Sequence, residues 1–151
     1  MIGIKLDRAK GLFFDRAEVM RATSRAERQV LSRFGAFVRR SARSSIRKRK
    51  RTSEPGSPPS SHTGLLRKFI FFAFEPQSRS VVIGPVRLNQ KVGDAPAALE
   101  HGGKSQVAEG SRRRSRRTRT IRVRPRPYMQ PAFEKERQKL PQMWRDSIKR
   151  G

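Results

Sequence analysis

The longest regular pattern in the chain predicts an amphipathic helix from residue 16 to about residue 50. This segment has no Pro and a single Gly, Gly35, which is expected to weaken a helix by about 1 kcal/mol relative to Ala. Asp15, followed three residues later by Glu18, resembles a capping box at the helix start. Apolar residues recur at steps of three and four, which aligns them on one stripe between arginine-rich faces. They are Val19, Ala22, Ala26, Val30, Phe34, Phe37, Val38, Ala42 and Ile46. We interpret the stripe as core packing under a sheet, with an intersubunit helix seam as the alternative.

Shorter apolar patterns predict strands. Residues 2–6 alternate apolar and other residues, which suggests a short strand, and residues 65–74 are rich in Phe and Ile, which indicates a buried strand. Residues 79–83 predict a second strand, antiparallel to that one and ended by Gly84 and Pro85. Residues 118–124 alternate β-branched residues with Arg and predict a third.

The remaining segments predict loops and a C-terminal helix. Residues 52–64 are rich in Ser, Pro and Gly and predict a loop. Residues 85–117 predict a long basic loop, with at most a short helical turn at 95–100. A helix is expected from Pro131 to about residue 149, kinked or split by Pro141.

The order of these elements predicts a single α+β domain over residues 1–151. A small antiparallel sheet is packed by the long N-terminal amphipathic helix and the C-terminal helix, with long basic loops between the elements. The helices are expected on one face of the sheet. The loops at 52–64 and 85–117 are the segments that we expect to make contacts with other subunits.

Positive charge is unusually high and clustered. The 151 residues include 37 Lys and Arg against 12 Asp and Glu, a formal net charge of +25, whereas a small domain usually carries a magnitude of about 2–8. Such charge opposes compaction and self-association unless anions or acidic partners compensate it. The basic run at 47–51 is unbroken, and residues 112–126 contain nine arginines. These nine are Arg112, Arg113, Arg114, Arg116, Arg117, Arg119, Arg122, Arg124 and Arg126.

Three interpretations of the arginine cluster stay open: contact with DNA phosphates, docking onto an acidic ring of another protein, and a solvated charged loop. For the run at 47–51, ending the helix is a further possibility, since cations favour a helix C-terminus. No aromatic residue is interleaved among the arginines, which argues against stacking on single-stranded bases. The candidate contacts for DNA or an acidic partner are Arg47, Lys48, Arg49, Lys50, Arg51, Arg112, Arg113, Arg114, Arg116, Arg117 and Arg119.

Few residues in the sequence point to catalysis. The absence of cysteine excludes disulfides and zinc sites built on Cys, and the two histidines, His62 and His101, lie in turns rich in Gly and Ser. Glu100 stands beside His101, but no nucleophile or second carboxylate accompanies it. The segment 102–105 fails to match a phosphate-binding loop because Ala98 stands where the first Gly is required. We therefore expect no enzymatic activity, no cofactor and no metal.

A membrane role is also not expected. The longest apolar stretch, residues 65–74, is interrupted by Arg67 and Lys68 and is far shorter than the ~20 residues that span a bilayer. The beginning of the chain lacks an apolar run typical of a signal peptide. We expect a soluble protein without membrane contact, acting in the cytoplasm or in a particle assembled there.

Four short motifs marked by Gly and Pro occur in a fixed order. Residues 55–59, Pro-Gly-Ser-Pro-Pro, run into 62–67, His-Thr-Gly-Leu-Leu-Arg. Next come 82–85, Val-Ile-Gly-Pro, and 99–103, Leu-Glu-His-Gly-Gly. The last, 126–132, is Arg-Pro-Tyr-Met-Gln-Pro-Ala and leads into the predicted C-terminal helix. The candidate structural turns within them are Gly64, Gly84, Gly102 and Pro127. Gly64 alone is explained equally well as a glycine that supplies a positive φ at a loop-to-strand junction.

Taken together, the four motifs resemble those of the head–tail joining and tail-completion proteins of long-tailed double-stranded DNA bacteriophages. The resemblance implies a structural protein of the virion neck, assembled in the host cytoplasm, and no catalysis. Its subunits would form a ring, sixfold or alternatively twelvefold, between the portal/adaptor complex and the tail tube. The implied partners are copies of the chain itself, portal/adaptor or head-closure proteins, and tail terminator or tail-tube proteins. Packaged DNA is a further candidate, through phosphate contacts.

The resemblance also assigns a structural turn to the Leu-Glu motif, with Glu100 expected to pair with an Arg of the same or the adjacent subunit. Two features depart from the family pattern: the high basic charge, and Gly-Asp-Ala at 93–95 where an aromatic often precedes the Leu-Glu turn. The competing hypothesis is a free basic nucleic-acid-binding protein, ribosomal or nucleoid-like. The charge supports that hypothesis, whereas the ordered motifs do not.

Overall fold

A computed structural model describes residues 16–86, 95–109 and 117–148, without the side chains of residues 107–109, 117, 118 and 148. The predicted strand at 2–6 and the Asp15 cap lie outside these residues. The elements in chain order are helix α1 (Arg16–Ser45), helix α2 (Leu65–Lys68), strands β1 (Ile70–Glu75) and β2 (Ser80–Pro85), helix α3 (Ala95–His101), strands β3 (Gly103–Glu109) and β4 (Arg117–Val123), and helices α4 (Met129–Arg137) and α5 (Leu140–Ile148). The predicted α+β fold is confirmed.

The second half of α1 forms the centre of the core. Val30, Phe34, Val38 and Ala42 are buried on the predicted apolar stripe, and Ile46, directly after the helix, is buried with them. In the first half of the stripe, Val19 and Ala22 are exposed and Ala26 is half-buried. The stripe is therefore core packing only from Val30 onward.

Helix α1 ends at residue 45, about five residues earlier than predicted. The Ser44 hydroxyl donates to the carbonyl of Ser41 (2.9 Å), and the Ser45 hydroxyl donates to that of Ala42 (2.8 Å). Such bonds offer the backbone an alternative to the helical ladder. Immediately beyond, the Arg47 carbonyl accepts a hydrogen bond from the Ser61 amide (3.0 Å), which leads the chain away from the helix axis.

Gly35 permits close packing and does not interrupt α1. A Cβ atom at this position would lie 2.8 Å from Cδ2 of Phe72 and 2.8 Å from Cγ2 of Val81. The helix therefore approaches the β1–β2 hairpin more closely than any larger residue would allow. The expected propensity cost of Gly35 stays a prediction, and the structure adds a packing reason for a residue without a side chain at this position.

The β1–β2 hairpin is antiparallel as predicted, with Ile70 opposite Pro85 and Glu75 opposite Ser80. The strand begins at residue 70, later than the predicted residue 65, because Gly64 adopts a left-handed conformation (φ 79°) that leads into the single turn of α2. Ile70 is fully buried. The hairpin thus packs one face on α1.

The main difference from the prediction lies in residues 85–117, which were expected to form one long loop. The described part contains helix α3, at the position of the predicted helical turn, and the unpredicted strand β3. Strand β4, predicted at 118–124, pairs with β3 and not with the first hairpin. Two separate two-stranded sheets therefore replace the single sheet that was expected.

The C-terminal helix is split, as the presence of Pro141 suggested. Helices α4 and α5 are separated at residues 138 and 139, and Pro141 lies in the first turn of α5, where its missing N–H removes no intrahelical hydrogen bond. Ala132 and Met143 join the core, and the Phe133 ring meets Phe34 edge-on with centroids 5.7 Å apart. None of the helices in the described residues is long and apolar enough to span a membrane.

Candidate functional site

Glu100, at the end of α3, caps the first turn of α4. Its carboxylate accepts hydrogen bonds from the backbone amides of Tyr128 (2.9 Å), Met129 (3.0 Å) and Gln130 (2.8 Å). These amides precede or begin the helix, where N–H groups have no intrahelical acceptor, and a negative charge is favourable there. Within the described residues, the hydrogen-bond partners of Glu100 are therefore backbone amides of the last motif. The expected ion pair with an arginine of the same or the adjacent subunit stays a prediction.

Further hydrogen bonds connect the predicted motifs. The Leu99 carbonyl accepts from the Arg126 amide (2.6 Å), and the Pro125 carbonyl accepts from the Gly56 amide (2.9 Å). The Arg126 guanidinium donates through Nε to the Ser53 carbonyl (3.0 Å). The Pro/Gly loop, the Leu-Glu turn and the start of the last helix thus form one bonded unit, which we call the motif junction. The segment 52–64 contains no helix or strand, as predicted. The hydrogen bonds of Gly56 and Ser53 attach it to residues 125 and 126.

The Gly-Pro motif at the end of β2 borders the motif junction. A groove of about 300 Å³ lies between Pro85 on one side and Glu100, Tyr128 and Met129 on the other. Elements of all four sequence motifs therefore meet or face one another around α3 and the start of α4.

Two of the four predicted turn residues adopt conformations that favour glycine. Gly64 has φ 79° and Gly102 has φ 77°. At Gly102 a Cβ would lie 3.0 Å from Cδ of Pro125, so both the backbone and the neighbouring chain require its small size. Gly84 instead lies inside β2, opposite Phe71, and the strand ends one residue later. Pro127 belongs to the non-helical segment 124–127 that precedes α4.

The β3–β4 hairpin presents a basic face to solvent. Lys104 lies directly opposite Arg122, and Gln106 lies opposite Thr120. All four are exposed, as is Arg124 just beyond β4. Ser105, which lies between Lys104 and Gln106 in β3, is buried. Since successive side chains of a strand point to opposite faces, Ser105 lies on the inner face of the hairpin and these five residues lie on the outer face. We call Lys104, Gln106, Thr120, Arg122 and Arg124 the basic ribbon face.

An open depression lies at the base of this hairpin. It has a volume of about 590 Å³ and is lined by His101, Gly102, Gly103, Arg122, Val123, Arg124 and Pro125. A Cβ on Gly103 would meet no atom within 4 Å, so the backbone at this point is open to an approaching group. Two guanidinium groups and a bare backbone are a combination suited to an anion.

The predicted contact residues are distributed over several places. Arg112, Arg113, Arg114 and Arg116 lie outside the described residues. Arg117 begins β4 opposite Glu109, and Arg119 is exposed opposite Val107. Arg47, Lys48, Arg49, Lys50 and Arg51 follow α1 and are all exposed. Lys104 was not among the contact residues predicted from sequence. Its position opposite Arg122 is what places it on the same face, and strand β3, which creates that pairing, was not predicted.

An exposed apolar surface was also missed. Phe71 and Val82 lie on the outer face of the β1–β2 hairpin with 46% and 63% of their surface exposed. The Arg39 guanidinium donates to the Ile70 carbonyl (2.7 Å) and lies 5.7 Å from the Phe71 ring centroid. From sequence, residues 65–74, which include Phe71, were expected to form a buried strand. An uninterrupted run of Phe, Ile and Ala gives no alternation from which the outward positions could be identified.

Glu136 on α4 is a buried acid with a structural role. Its carboxylate accepts from the hydroxyl of Ser41 (2.5 Å) and from Nζ of Lys139 (2.8 Å). Burial alone would raise the pKa of Glu136, but the hydrogen bonds from Lys139 and Ser41 and the nearby positive charge outweigh it and lower the pKa. The bond from Ser41 fastens α1 to α4.

In the described part of the chain, no group of three or more His, Asp or Glu side chains is placed to hold a metal ion. Three surfaces in the described residues have functional potential: the basic ribbon face, the basic run at 47–51, and the exposed apolar positions of α1 and β1–β2. Comparison of the chain with protein-family models, curated proteins and solved structures gave no significant match.

Proposed function

We propose that this chain is a structural subunit of the neck of a long-tailed double-stranded DNA bacteriophage. Copies of it would form a ring, sixfold or twelvefold, that joins the portal/adaptor complex to the tail tube in the virion. The observation that carries this proposal is the motif junction. The four motifs on which the resemblance rests are spread along the sequence, yet Glu100 and Leu99 bond to the last motif, and Gly56 bonds to Pro125 directly before it. Pro85 of the remaining motif borders them.

The shape and exposure of α1 support a role in assembly. The helix has 30 residues and is therefore about 45 Å long. Val19 and Met20 in its first half have 53% and 59% of their surface exposed. The outer face of β1–β2 adds Phe71 and Val82. Apolar residues exposed in groups mark surfaces that bind other proteins, and a neighbouring subunit of the ring would cover them.

The charge supports assembly that depends on partners. Copies that each carry a formal charge of +25 repel one another unless anionic neighbours reduce the repulsion. Portal/adaptor or head-closure proteins above the ring and tail terminator or tail-tube proteins below it would supply those neighbours. The function is mechanical and electrostatic and involves no catalytic step.

The proposal is tested by blocking synthesis of the chain during infection and counting the products by electron microscopy. Filled heads and complete tails that fail to join, with joining restored by the wild-type chain supplied from a plasmid, are expected. Normal joined particles in the absence of the chain would contradict the proposal. Recovery of the chain with ribosomes or bulk DNA, and not with particles, would favour the free nucleic-acid-binding protein.

A further inference from the structure

We infer that the basic ribbon face binds the phosphate backbone of double-stranded DNA. Lys104, Arg122 and Arg124 provide three cations on one exposed side of the β3–β4 hairpin. The inference deepens the proposed function. It rests on that function only for the source of the DNA, which would be a genome that passes through or stops in the neck.

The pairing of like charges shows that the face is suited to an anion. Lys104 and Arg122 lie directly opposite each other across the two strands. Like charges in this arrangement destabilise a strand pair, because opposite side chains are close in space. Arg124 is two residues after Arg122, so its side chain is expected on the same face, where it extends the cationic side toward the base of the hairpin. A phosphate between these groups would turn the repulsion into attraction.

The uncharged members of the face favour DNA over an acidic protein. Gln106 and Thr120 are the opposed pair next to Lys104 and Arg122, so each described side chain here is basic or uncharged and polar. Binding energy between proteins is concentrated in buried Trp, Tyr and Arg anchors, whereas phosphate contacts need only cations and hydrogen-bond donors. The composition therefore matches a nucleic-acid backbone.

The shape of the hairpin favours a duplex. Each strand has seven residues, which gives a ribbon about 24 Å long. Double-stranded DNA carries one negative charge per about 1.7 Å of its axis, so a ribbon of this length faces many phosphates. Single strands are usually bound through bases stacked on aromatic side chains, and the basic ribbon face consists of Lys, Arg, Gln and Thr. Contacts of this kind are insensitive to sequence.

The depression at the base of the ribbon provides a place for one phosphate. Arg122 and Arg124 line it together with His101, and Gly102 and Gly103 form its backbone wall. Gly102 turns through a left-handed conformation to place β3 there. The turn glycine of the Leu-Glu motif thus connects the motif junction to the basic ribbon face.

The inference is tested with the full chain and a fluorescently labelled duplex of arbitrary sequence, by measuring the dissociation constant at several salt concentrations. The variant K104Q/R122Q/R124Q removes three positive charges from the ribbon face. For each phosphate that the protein no longer neutralises, the plot of log K against log salt becomes shallower by about 0.9. We therefore expect the slope to decrease by about 2–3 and the affinity in 0.1 M salt to fall on the order of 10²-fold.

The matched control is R21Q/R25Q/R28Q, which removes the same charge from exposed positions of α1. Its slope should differ from that of the wild type by no more than about 0.9, the effect of a single phosphate. Equal weakening by both variants would overturn the inference, since bulk charge would then explain the binding. It would also be overturned if the ribbon variant no longer bound polyglutamate but still bound the duplex as the wild type does, because the face would then recognise acidic protein.

A second measurement needs no variant and applies even if the substitutions disturb folding. Acetylation of lysines in the wild-type chain is followed by mass spectrometry with and without the duplex. Lys104 should be modified several-fold more slowly in the complex, while Lys135, exposed on α4, should react at an unchanged rate. Equal protection of both lysines, or of neither, would overturn the inference. These outcomes concern the purified protein, so they are independent of whether the chain is found in the neck.

Discussion

At the scale of single residues, the Glu100 carboxylate is the group on which the motif junction depends most directly. It accepts three backbone hydrogen bonds at the start of α4. Glu100→Ala would leave those amides without their acceptor, so we expect the free energy of unfolding to fall by about 1–3 kcal/mol in urea titrations. Glu134→Ala is the control on the same helix, since its exposed ion pair with Arg137 is long at 3.7 Å and should contribute about 0–0.5 kcal/mol. Similar losses in both variants would contradict the capping role.

The pKa of Glu136 leads to a prediction about pH. Burial opposes its ionisation, but hydrogen bonds from Lys139 and Ser41 outweigh burial and hold the pKa below the ordinary 4.5. The ionised carboxylate therefore adds stability above pH 4.5, and this contribution disappears as pH falls through the lowered pKa. The stability difference between wild type and Glu136→Gln, measured in urea, should be larger at pH 7 than at pH 3. A difference that stays equal or grows at pH 3 would show that the pKa is not lowered.

Residue roles were harder to predict from sequence than residue conformations. A positive φ at Gly64 was one of the two explanations that the sequence offered, and the structure has a positive φ there and also at Gly102, which was expected only to lie in a turn. The cap formed by Glu100 joins residues 28–30 positions apart, and the sequence contains no local pattern for such a contact. For the same reason the buried Ser41–Glu136 bond, 95 positions apart, could not be foreseen.

At the scale of elements, the packing of α1 on the first hairpin gives a further prediction. Gly35→Ala raises helix propensity, which alone would add about 1 kcal/mol. The new Cβ would, however, lie 2.8 Å from both Phe72 and Val81, and overpacking of this kind costs about 1–3 kcal/mol. We expect a net loss of about 1 kcal/mol in thermal or urea unfolding. Gly84→Ala, where a Cβ meets no atom within 4 Å, should be neutral, and a stabilised Gly35→Ala variant would contradict the close packing.

The exposed half of α1 gives a prediction about assembly. Val19→Asp combined with Met20→Asp changes exposed positions, so the unfolding free energy of the isolated subunit should change by no more than about 0.5 kcal/mol per site. The same variant should fail to restore head–tail joining when the wild-type chain is absent, because a charged patch cannot be covered by a neighbour. Arg21→Gln combined with Arg25→Gln alters the net charge equally on another face of the helix and should restore joining. Restoration by both variants would exclude the surface around Val19 and Met20 as an interface.

The elements that were predicted correctly are those with strong local patterns. Helix α1 has a regular apolar stripe, and β1, β2 and β4 are rich in aromatic and β-branched residues. Strand β3, Gly-Lys-Ser-Gln-Val-Ala-Glu, has one β-branched residue and forms by pairing with β4. That pairing is a tertiary contact, so the sequence favoured a loop and the second sheet was missed.

At the scale of the whole molecule, charge is expected to control association. A chain with a formal net charge of +25 should be largely monomeric at neutral pH in about 0.15 M salt, where charges separated by more than about 8 Å are largely screened but nearby clusters still repel. Sedimentation velocity of the purified chain measures this directly. A stable ring of the purified chain alone would show that anionic partners are not required for assembly.

The proposed location in the neck is tested most directly by labelling purified virions with gold-conjugated antibodies against this chain. We predict that the label lies at the junction of head and tail and that tails or heads separated before joining carry much less of it. Label absent from intact particles, with the chain recovered instead among ribosomes or bulk DNA, would contradict the account.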